Sequence, residues 1–145
     1  MSAKSFTVNL KSKIKSYKKV IDVDSDKSLS IRSFIIGSIC QKISFASNIL
    51  ESEDVKSTIS TCRKLGVKIV KIKSKKYKIY GKGLGSFYAK KNTELDFCNS
   101  GTLARLLIGV LSTTPNIEVK IRGDHSLNKR NMGEIIKLMS KFGAV

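Results

Sequence analysis

The chain repeats one order of predicted elements, and this repeat constrains its fold more than any other feature of the sequence. The first copy, at about residues 20–81, reads as strand, helix, strand, helix and a two-stranded hairpin. The second copy, at about 94–145, follows the same order as far as its second helix. The sequence therefore predicts an α/β (α+β) fold with one complete and one truncated βαβαββ unit. A sheet without its closing hairpin has an exposed edge, so we expect a piece of a longer chain.

Hydrophobic periodicity places the individual elements. In the first copy we predict strands at 20–23 and 43–49, helices at 28–39 and 55–65, and a hairpin of 67–72 with 77–80. In the second copy we predict strands at 95–97 and 117–121, a helix at 103–111, and a last helix ending at 142. A capping box of Asn131 and Glu134 would start that last helix. Residues 1–19 are predicted to be a leader before the partial domain at 20–145.

The formal net charge of +17 predicts attraction to anions. A small basic nucleic-acid-binding module is therefore one alternative. Surfaces that bind nucleic acid cluster arginine with aromatic residues, whereas the lysines of this chain are scattered, as on a solvated surface. We therefore expect no nucleic-acid partner. No apolar run approaches the length of a membrane span, and we expect no membrane partner.

The cysteines argue against a metal site and for a reducing compartment. Cys40, Cys62 and Cys98 are widely spaced, and His125 is the single histidine of the sequence. Zinc sites usually need paired cysteines or histidines at short spacing. We therefore expect that the chain binds no metal ion. We also expect that its thiols are reduced and that it is located in the cytoplasm. The leader is rich in Lys and Ser, which leaves organelle targeting as the alternative.

The start of the first helix is basic where helices usually prefer acids. Asp26-Lys27-Ser28 is followed by Arg32, and the N-terminal end of a helix carries about half a positive charge. Each cation there costs roughly 0.3–1 kcal/mol at an exposed end unless an anion binds nearby. Ser28 and Arg32 lie four residues apart, on one helix face. We interpret this start as a phosphate or carboxylate site.

The second helix begins conventionally, whereas two later helix starts repeat the basic theme. Glu53 and Asp54 follow a candidate Ser52 cap, where the helix dipole favours acids. At 99–102 an Asn-Ser-Gly-Thr run precedes a helix that carries Arg105, and the polar loop 123–130 places Arg130 before the last helix. Together the three basic or glycine-rich starts predict a phosphorylated ligand bound by helix ends.

Four ordered motifs resemble those of the enolpyruvylshikimate-phosphate synthase (3-phosphoshikimate 1-carboxyvinyltransferase) family. The family patterns are D-K-S-x-S-H-R, L-x-S-E-D-V, D-x-G-N-S-G-T-x-x-R and G-D-x-S-L-x-x-R-P-M, and they align with residues 26–32, 50–55, 96–105 and 123–132 of this chain. The sequence departs from these patterns, or from the residues flanking them, at four positions: Ser25 and Cys98 replace glycines, Ile31 a histidine, and Asn131 a proline. None of these departures removes a matching Lys, Ser or Arg.

The resemblance implies the inside-out α/β barrel of enolpyruvyltransferases, monomeric at full length. It implies transfer of the enolpyruvyl group of phosphoenolpyruvate to the 5-hydroxyl of shikimate 3-phosphate, with release of phosphate and without a cofactor. The proton-transferring acids and further substrate-binding basic residues of the family lie outside this stretch, so we expect the chain alone to bind substrates poorly and to be inactive. The related UDP-N-acetylglucosamine enolpyruvyltransferase is the nearest alternative, but it has Lys-Asn where this chain has Lys27-Ser28.

The resemblance also assigns roles to individual residues. Lys27 would contact both substrates and act in catalysis, while Ser28 and Arg32 would hold shikimate 3-phosphate. Gly101 would let backbone amides approach phosphoenolpyruvate, and Arg130 would pair with its charged groups. The remaining substrate-binding candidates are Asn99, Thr102 and Arg105.

Overall fold

The computed structural model describes residues 7–9, 11, 16, 18–21 and 23–144. The predicted leader at 1–19 lies mostly outside these residues. The residues of the first predicted unit form α1 (Lys27–Ile39), β1 (Ile43–Ser47), α2 (Glu53–Lys64), β2 (Lys68–Lys73) and β3 (Lys76–Tyr80). The second consists of β4 (Glu94–Asp96), α3 (Gly101–Leu111), β5 (Lys120–Arg122), α4 (His125–Asn128) and α5 (Gly133–Lys141).

The first sheet is antiparallel, with β3 between β1 and β2. One face is apolar and buried by α1 and α2, whereas the other face mixes lysines with exposed apolar residues such as Phe45 and Val70. On the buried face Phe34 and Tyr77 meet edge to face, with their ring centroids 5.2 Å apart. The predicted β2–β3 hairpin is confirmed.

The second sheet pairs β4 and β5 in parallel, with α3 as the crossover between them. Parallel neighbours need such a crossover, so the strand–helix–strand order of the sequence and the pairing agree. Helix α3 packs against both α1 and α5, which joins the two copies through their helices. Leu103 and Leu107 of α3 are fully buried in the shared core.

The helix ends confirm most of the predicted boundaries. Helix α2 is followed by Gly66, whose φ of +87° is the left-handed conformation that favours glycine after a helix. The Val67 N–H then bonds to the Cys62 carbonyl at 3.0 Å, which closes the last turn. In the described part of the chain no helix is long and apolar enough to cross a lipid bilayer.

The predicted strand at 20–23 is wrong for its described residues, so the described part of the first unit is αβαββ and not the complete βαβαββ unit that the sequence predicts. Val20, Ile21 and Val23 are in coil and are 67–90% exposed, while Asp22 lies outside the described residues. Among the described residues only β3 pairs with β1, so this segment has no hydrogen-bonded neighbour. Alternating apolar residues do not make a strand without a partner for their backbone groups.

The start of the last helix also differs from the prediction. Helix α5 begins at Gly133 behind Met132, whose side chain has no oxygen to cap with, so the Asn131–Glu134 capping box is wrong. Asn131 instead accepts a 2.7 Å hydrogen bond from the Gly133 N–H, a local turn that competes with helix capping. The polar loop before it contains the short helix α4, and β5 is shorter than the predicted strand.

Candidate functional site

The first candidate residues lie at the start of α1. This helix begins at Lys27, and the Asp26 side chain caps it by accepting a 2.6 Å hydrogen bond from the Leu29 N–H. Its first turn carries a lysine and no carboxylate, although the helix dipole favours an anion there. Ser28 is half-buried, and Arg32 is exposed one turn later. The structure therefore confirms the basic helix start, whose first N–H groups can bind an anion.

Lys27 has an acidic neighbour on a different helix. Its Nζ atom lies 2.9 Å from Oδ2 of Asp54, in the first turn of α2. The lysine side chain is 50% exposed, whereas the aspartate side chain is only 15% exposed. This ion pair joins the N-terminal ends of α1 and α2.

The second group of candidate residues surrounds the start of α3. Ser100 caps this helix by accepting a 3.2 Å hydrogen bond from the Leu103 N–H. Gly101, the first helical residue, is buried beneath two arginines. A Cβ atom added to Gly101 would lie 2.5 Å from Nη1 of Arg130 and 3.1 Å from Nη1 of Arg105. Two guanidinium groups therefore converge on the positive end of α3.

The charges around Gly101 are not compensated within the described part of the chain. Arg130 donates a 2.6 Å hydrogen bond from Nη2 to Oδ1 of Asn99, a neutral partner. Neither Arg105 nor Arg130 forms a salt bridge with any described residue. Thr102, half-buried beside Gly101, adds a hydroxyl to the same turn. Converging cations at a helix N-terminus are the arrangement that binds phosphate or carboxylate.

The two parallel strands explain how Arg130 reaches α3. Beyond the strands, the Phe97 N–H donates to the Arg122 carbonyl at 2.9 Å, and the Asp124 N–H donates to the Cys98 carbonyl at 2.8 Å. Asp124 then caps the short helix α4. That helix carries the chain back past the turn at 98–101, which leaves Arg130 beside Gly101.

An acid–arginine cluster holds the turn before α3. Arg122 bonds to Glu94 at 2.7 Å and to Asp96 at 2.8 Å. Asp96 also accepts a 2.8 Å hydrogen bond from the Cys98 N–H, and this bond, with the charge of Arg122, lowers the pKa of Asp96. Burial raises the pKa of the Cys98 thiol, which therefore stays protonated at neutral pH.

The first turns of α2 connect the two basic helix starts. Asp54 contacts Lys27, and one turn later the Ser57 hydroxyl donates a 2.5 Å hydrogen bond to the Asp96 carbonyl at the end of β4. Only a short turn separates Asp96 from Gly101. The N-terminal ends of α1, α2 and α3 therefore lie at one end of the fold.

The structure does not bring every predicted residue into direct contact. Arg32 lines a groove of about 500 Å³ between α1 and β1, together with Leu29, Ile36 and Phe45. Among the described residues, no hydrogen bond links Ser28 or Arg32 to the α3 start. Both residues lie at the start of α1 with Lys27. Only a ligand that spans the gap between the α1 and α3 starts would contact them together with the α3 residues.

Sequence reasoning missed Asp54 as a partner of Lys27. The acids at the start of α2 already have a local explanation in the helix dipole, so nothing in the sequence indicates an ion pair across 27 residues. It also missed the salt bridges of Arg122, because β4 and β5 are far apart in the chain and each is only three residues long.

A family model described as EPSP synthase (3-phosphoshikimate 1-carboxyvinyltransferase) matches residues 11–145. This chain belongs to the EPSP synthase family. Curated family members with the name 3-phosphoshikimate 1-carboxyvinyltransferase are similar to it over most of its length. The protein of Leptospira interrogans serovar copenhageni is 40% identical, over 92% of this chain and 30% of the relative. The Thermoanaerobacter sp. strain X514 protein is 42% identical, over 88% of this chain and 29% of the relative.

A solved EPSP synthase structure confirms the mixed helix and strand fold. The enzyme from Acinetobacter baumannii matches with a TM-score of 0.78 at 36% identity, over 86% of this chain and 28% of that protein. The chain thus spans roughly a third of the length of the EPSP synthases that it matches. The inside-out barrel and the two unit boundaries remain predictions.

The departures from the family motifs have visible structural settings. Cys98 stands at a motif glycine and adopts a φ of +46°, a left-handed conformation that glycine adopts more easily. Ile31 stands at the motif histidine and is fully buried in the core. Among the described residues, neither Cys98 nor Ile31 forms a hydrogen bond with Arg105 or Arg130.

Proposed function

We propose that this chain supplies substrate-binding helix ends to an enzyme of the shikimate pathway. That enzyme transfers the enolpyruvyl group of phosphoenolpyruvate to the 5-hydroxyl of shikimate 3-phosphate and releases phosphate. The observation that carries the proposal is the convergence of Arg105 and Arg130 on Gly101 at the N-terminal end of α3. Family membership supports the choice of these two substrates among the possible phosphorylated anions.

The α3 residues are proposed to bind phosphoenolpyruvate. A guanidinium group offers two parallel N–H donors to a carboxylate or phosphate, and two such groups flank the same backbone position. Asn99 keeps the Arg130 fork beside Gly101 through its 2.6 Å hydrogen bond. Thr102 is proposed to add a hydroxyl donor from the same turn.

The α1 residues are proposed to bind shikimate 3-phosphate. Ser28 and Arg32 lie four residues apart on α1, and the first N–H groups of the helix lie beside them. Lys27 is proposed to contact both substrates and to act in catalysis, because its helix start and the α3 start lie at the same end of the fold. Fixed cations between two anionic substrates would offset the repulsion between them.

We assign catalytic turnover to a protein as long as the matched relatives. To this chain we assign only substrate binding. No metal or organic cofactor enters the proposed reaction. A cytoplasmic location and a monomeric full-length protein are proposed with it. The wide and irregular spacing of the three cysteines is the reason for proposing a reducing compartment.

Calorimetric titration of the chain with shikimate 3-phosphate and phosphoenolpyruvate tests the proposal. We expect Arg130→Lys to weaken phosphoenolpyruvate binding about tenfold, because lysine keeps the charge but loses the two-donor fork. Arg63→Lys is the matched control, since Arg63 donates to the Ile69 carbonyl at 2.7 Å, away from Gly101. Equal weakening by both variants, or tight binding of single-stranded DNA that falls steeply with salt and no binding of either metabolite, would contradict the proposal.

A further inference from the structure

We infer that Asp54 is a positioning residue that holds the Lys27 ammonium group at the substrate-binding end of the fold. The inference rests on the proposed function and adds a residue to it. The Nζ–Oδ2 distance of 2.9 Å joins a candidate catalytic lysine to a carboxylate on another helix. Because the lysine side chain is half-exposed, the ion pair contributes little to folding. Its main effect is therefore on where Lys27 points.

Without Asp54, the local electrostatics would drive Lys27 away from this position. The ammonium group sits at the positive end of α1, and Arg105 and Arg130 lie at the same end of the fold. A lysine on a flexible four-carbon stem would relax towards solvent under that repulsion. Asp54 is the described carboxylate within salt-bridge distance of Lys27.

The position of Asp54 itself is fixed by the packing of α2. Val55, the next residue, is fully buried in the core. One turn later, the Ser57 hydroxyl donates to the Asp96 carbonyl at the end of β4, just before the α3 start. Asp54 is therefore tied to the same strand end that leads to Gly101, and it draws Lys27 towards that end.

The adjacent acid provides a matched control. Glu53 carries the same charge in the same helical turn, but it pairs with Lys56 of its own helix at 2.8 Å. Its side chain is 81% exposed. Neutralising Glu53 changes the charge near the site without touching Lys27.

The sign of the effect separates positioning from simple electrostatics. Removal of a negative charge near an anion site raises anion affinity, so Glu53→Gln should bind shikimate 3-phosphate as well as the wild type or slightly better. If Asp54 positions Lys27, Asp54→Asn should instead weaken binding about tenfold, because a displaced cation loses its contact with the ligand. Asp54→Glu, which restores a carboxylate near Lys27, should recover part of the lost affinity. A purely electrostatic effect of the carboxylate on the anion would produce neither the loss nor the recovery.

The experiment is calorimetric titration of the 145-residue chain and its variants with shikimate 3-phosphate, with matched melting temperatures as the folding control. In the Lys27→Met background, Asp54→Asn should cause no further loss, because the lysine through which it acts is gone. The inference would be overturned if Asp54→Asn bound shikimate 3-phosphate as tightly as Glu53→Gln or more tightly. It would also be overturned if Asp54→Asn lowered the affinity as much in the Lys27→Met background as in the wild type.

A ligand-free measurement distinguishes this inference from the proposed function. Heteronuclear NMR of the lysine ammonium groups should show a protected Lys27 signal in the wild type and in Glu53→Gln, and lose it in Asp54→Asn. If that signal is present but the wild type binds neither substrate, the proposed function fails while the placement of Lys27 by Asp54 stands. If the signal is missing from the wild type, the positioning role fails whatever the affinity.

Discussion

Arg130 donates a hydrogen bond of 2.6 Å from Nη2 to Oδ1 of Asn99, 31 residues earlier in the chain. The two residues flank different elements, Asn99 before α3 and Arg130 after α4. Their contact directs the guanidinium group of an otherwise exposed arginine towards Gly101. Asn99 thus acts on the candidate anion site through Arg130, whether or not it contacts a ligand itself.

Asn99→Ala should weaken phosphoenolpyruvate binding about three- to tenfold while leaving the fold intact. The variant removes a hydrogen bond to a charged group at an exposed position, so the arginine gains rotamer freedom that binding must then restrict. Calorimetric titration measures the loss. Asn131→Ala, in the loop that follows Arg130, is the control and should bind normally, since its side chain bonds to the Gly133 N–H. Equal affinity of the Asn99→Ala variant and the wild type would show that Arg130 needs no such support.

Gly101→Ala should separate folding from binding. The added methyl group would stand 2.5 Å from Nη1 of Arg130, the far end of a flexible side chain that can move aside. Alanine also favours the helix, so we expect the free energy of unfolding to change by no more than about 1 kcal/mol. Phosphoenolpyruvate affinity should fall about tenfold or more, because the displaced guanidinium groups no longer meet at the helix start. A variant that unfolds, or one that binds normally, would contradict this account of Gly101.

The sequence points to the members of the candidate site because each of them carries a local signal. Lys27 and Arg32 conflict with the dipole of their helix, and Gly101 lies in a run of small residues at a helix start. Their assembly has no such signal. The approach of Arg105 and Arg130 to Gly101 depends on the parallel pairing of β4 and β5, two short strands that are far apart in the chain.

The errors in the predicted fold also have a common physical origin. Val20, Ile21 and Val23 satisfy the strand pattern, but a strand forms only where another chain segment takes up its backbone hydrogen bonds. Asn131 satisfies the capping pattern, but its side chain accepts a hydrogen bond from the Gly133 N–H and therefore does not cap the helix in a box with Glu134. Both patterns describe what a segment can do locally, whereas the outcome depends on a competing or missing partner.

Cys98→Gly should stabilise the chain. Cys98 adopts a φ of +46°, which costs a residue with a side chain roughly 1–2 kcal/mol, partly offset by the greater unfolded-state entropy of glycine. We therefore expect a gain of about 1 kcal/mol or less in the free energy of unfolding, measured by urea denaturation. Cys40→Gly removes another half-buried thiol at an ordinary φ of −68° and should destabilise the chain. If the free energy of unfolding changed in the same direction in both variants, backbone strain at Cys98 would be refuted.

Glu51 connects the loop before α2 to the hairpin. Its carboxylate accepts hydrogen bonds from the Tyr77 hydroxyl at 2.7 Å and from the Lys75 N–H at 3.3 Å, and it forms a salt bridge of 2.8 Å with Lys71. The Lys71 and Tyr77 hydrogen bonds lower the pKa of Glu51 from 4.5 to about 2. Burial, and then the same carboxylate, raises the pKa of Tyr77 to about 12. Each shift favours the charge state that the shared contact requires.

The stabilisation by Glu51 should therefore depend on pH in the acid range. A carboxylate whose pKa is lower in the folded chain stabilises that state fully above its ordinary pKa of 4.5 and loses this effect as the pH falls towards about 2. At neutral pH, Glu51→Gln should melt at a lower temperature than the wild type, because glutamine cannot form the charged contact with Lys71. The difference between the two melting temperatures should shrink below pH 4.5 and nearly vanish at about pH 2. Glu53→Gln, which breaks a surface pair within α2, should show little difference at any pH. A gap between Glu51→Gln and the wild type that stays constant down to pH 2 would mean that the hairpin depends on the shape of this side chain and not on its charge.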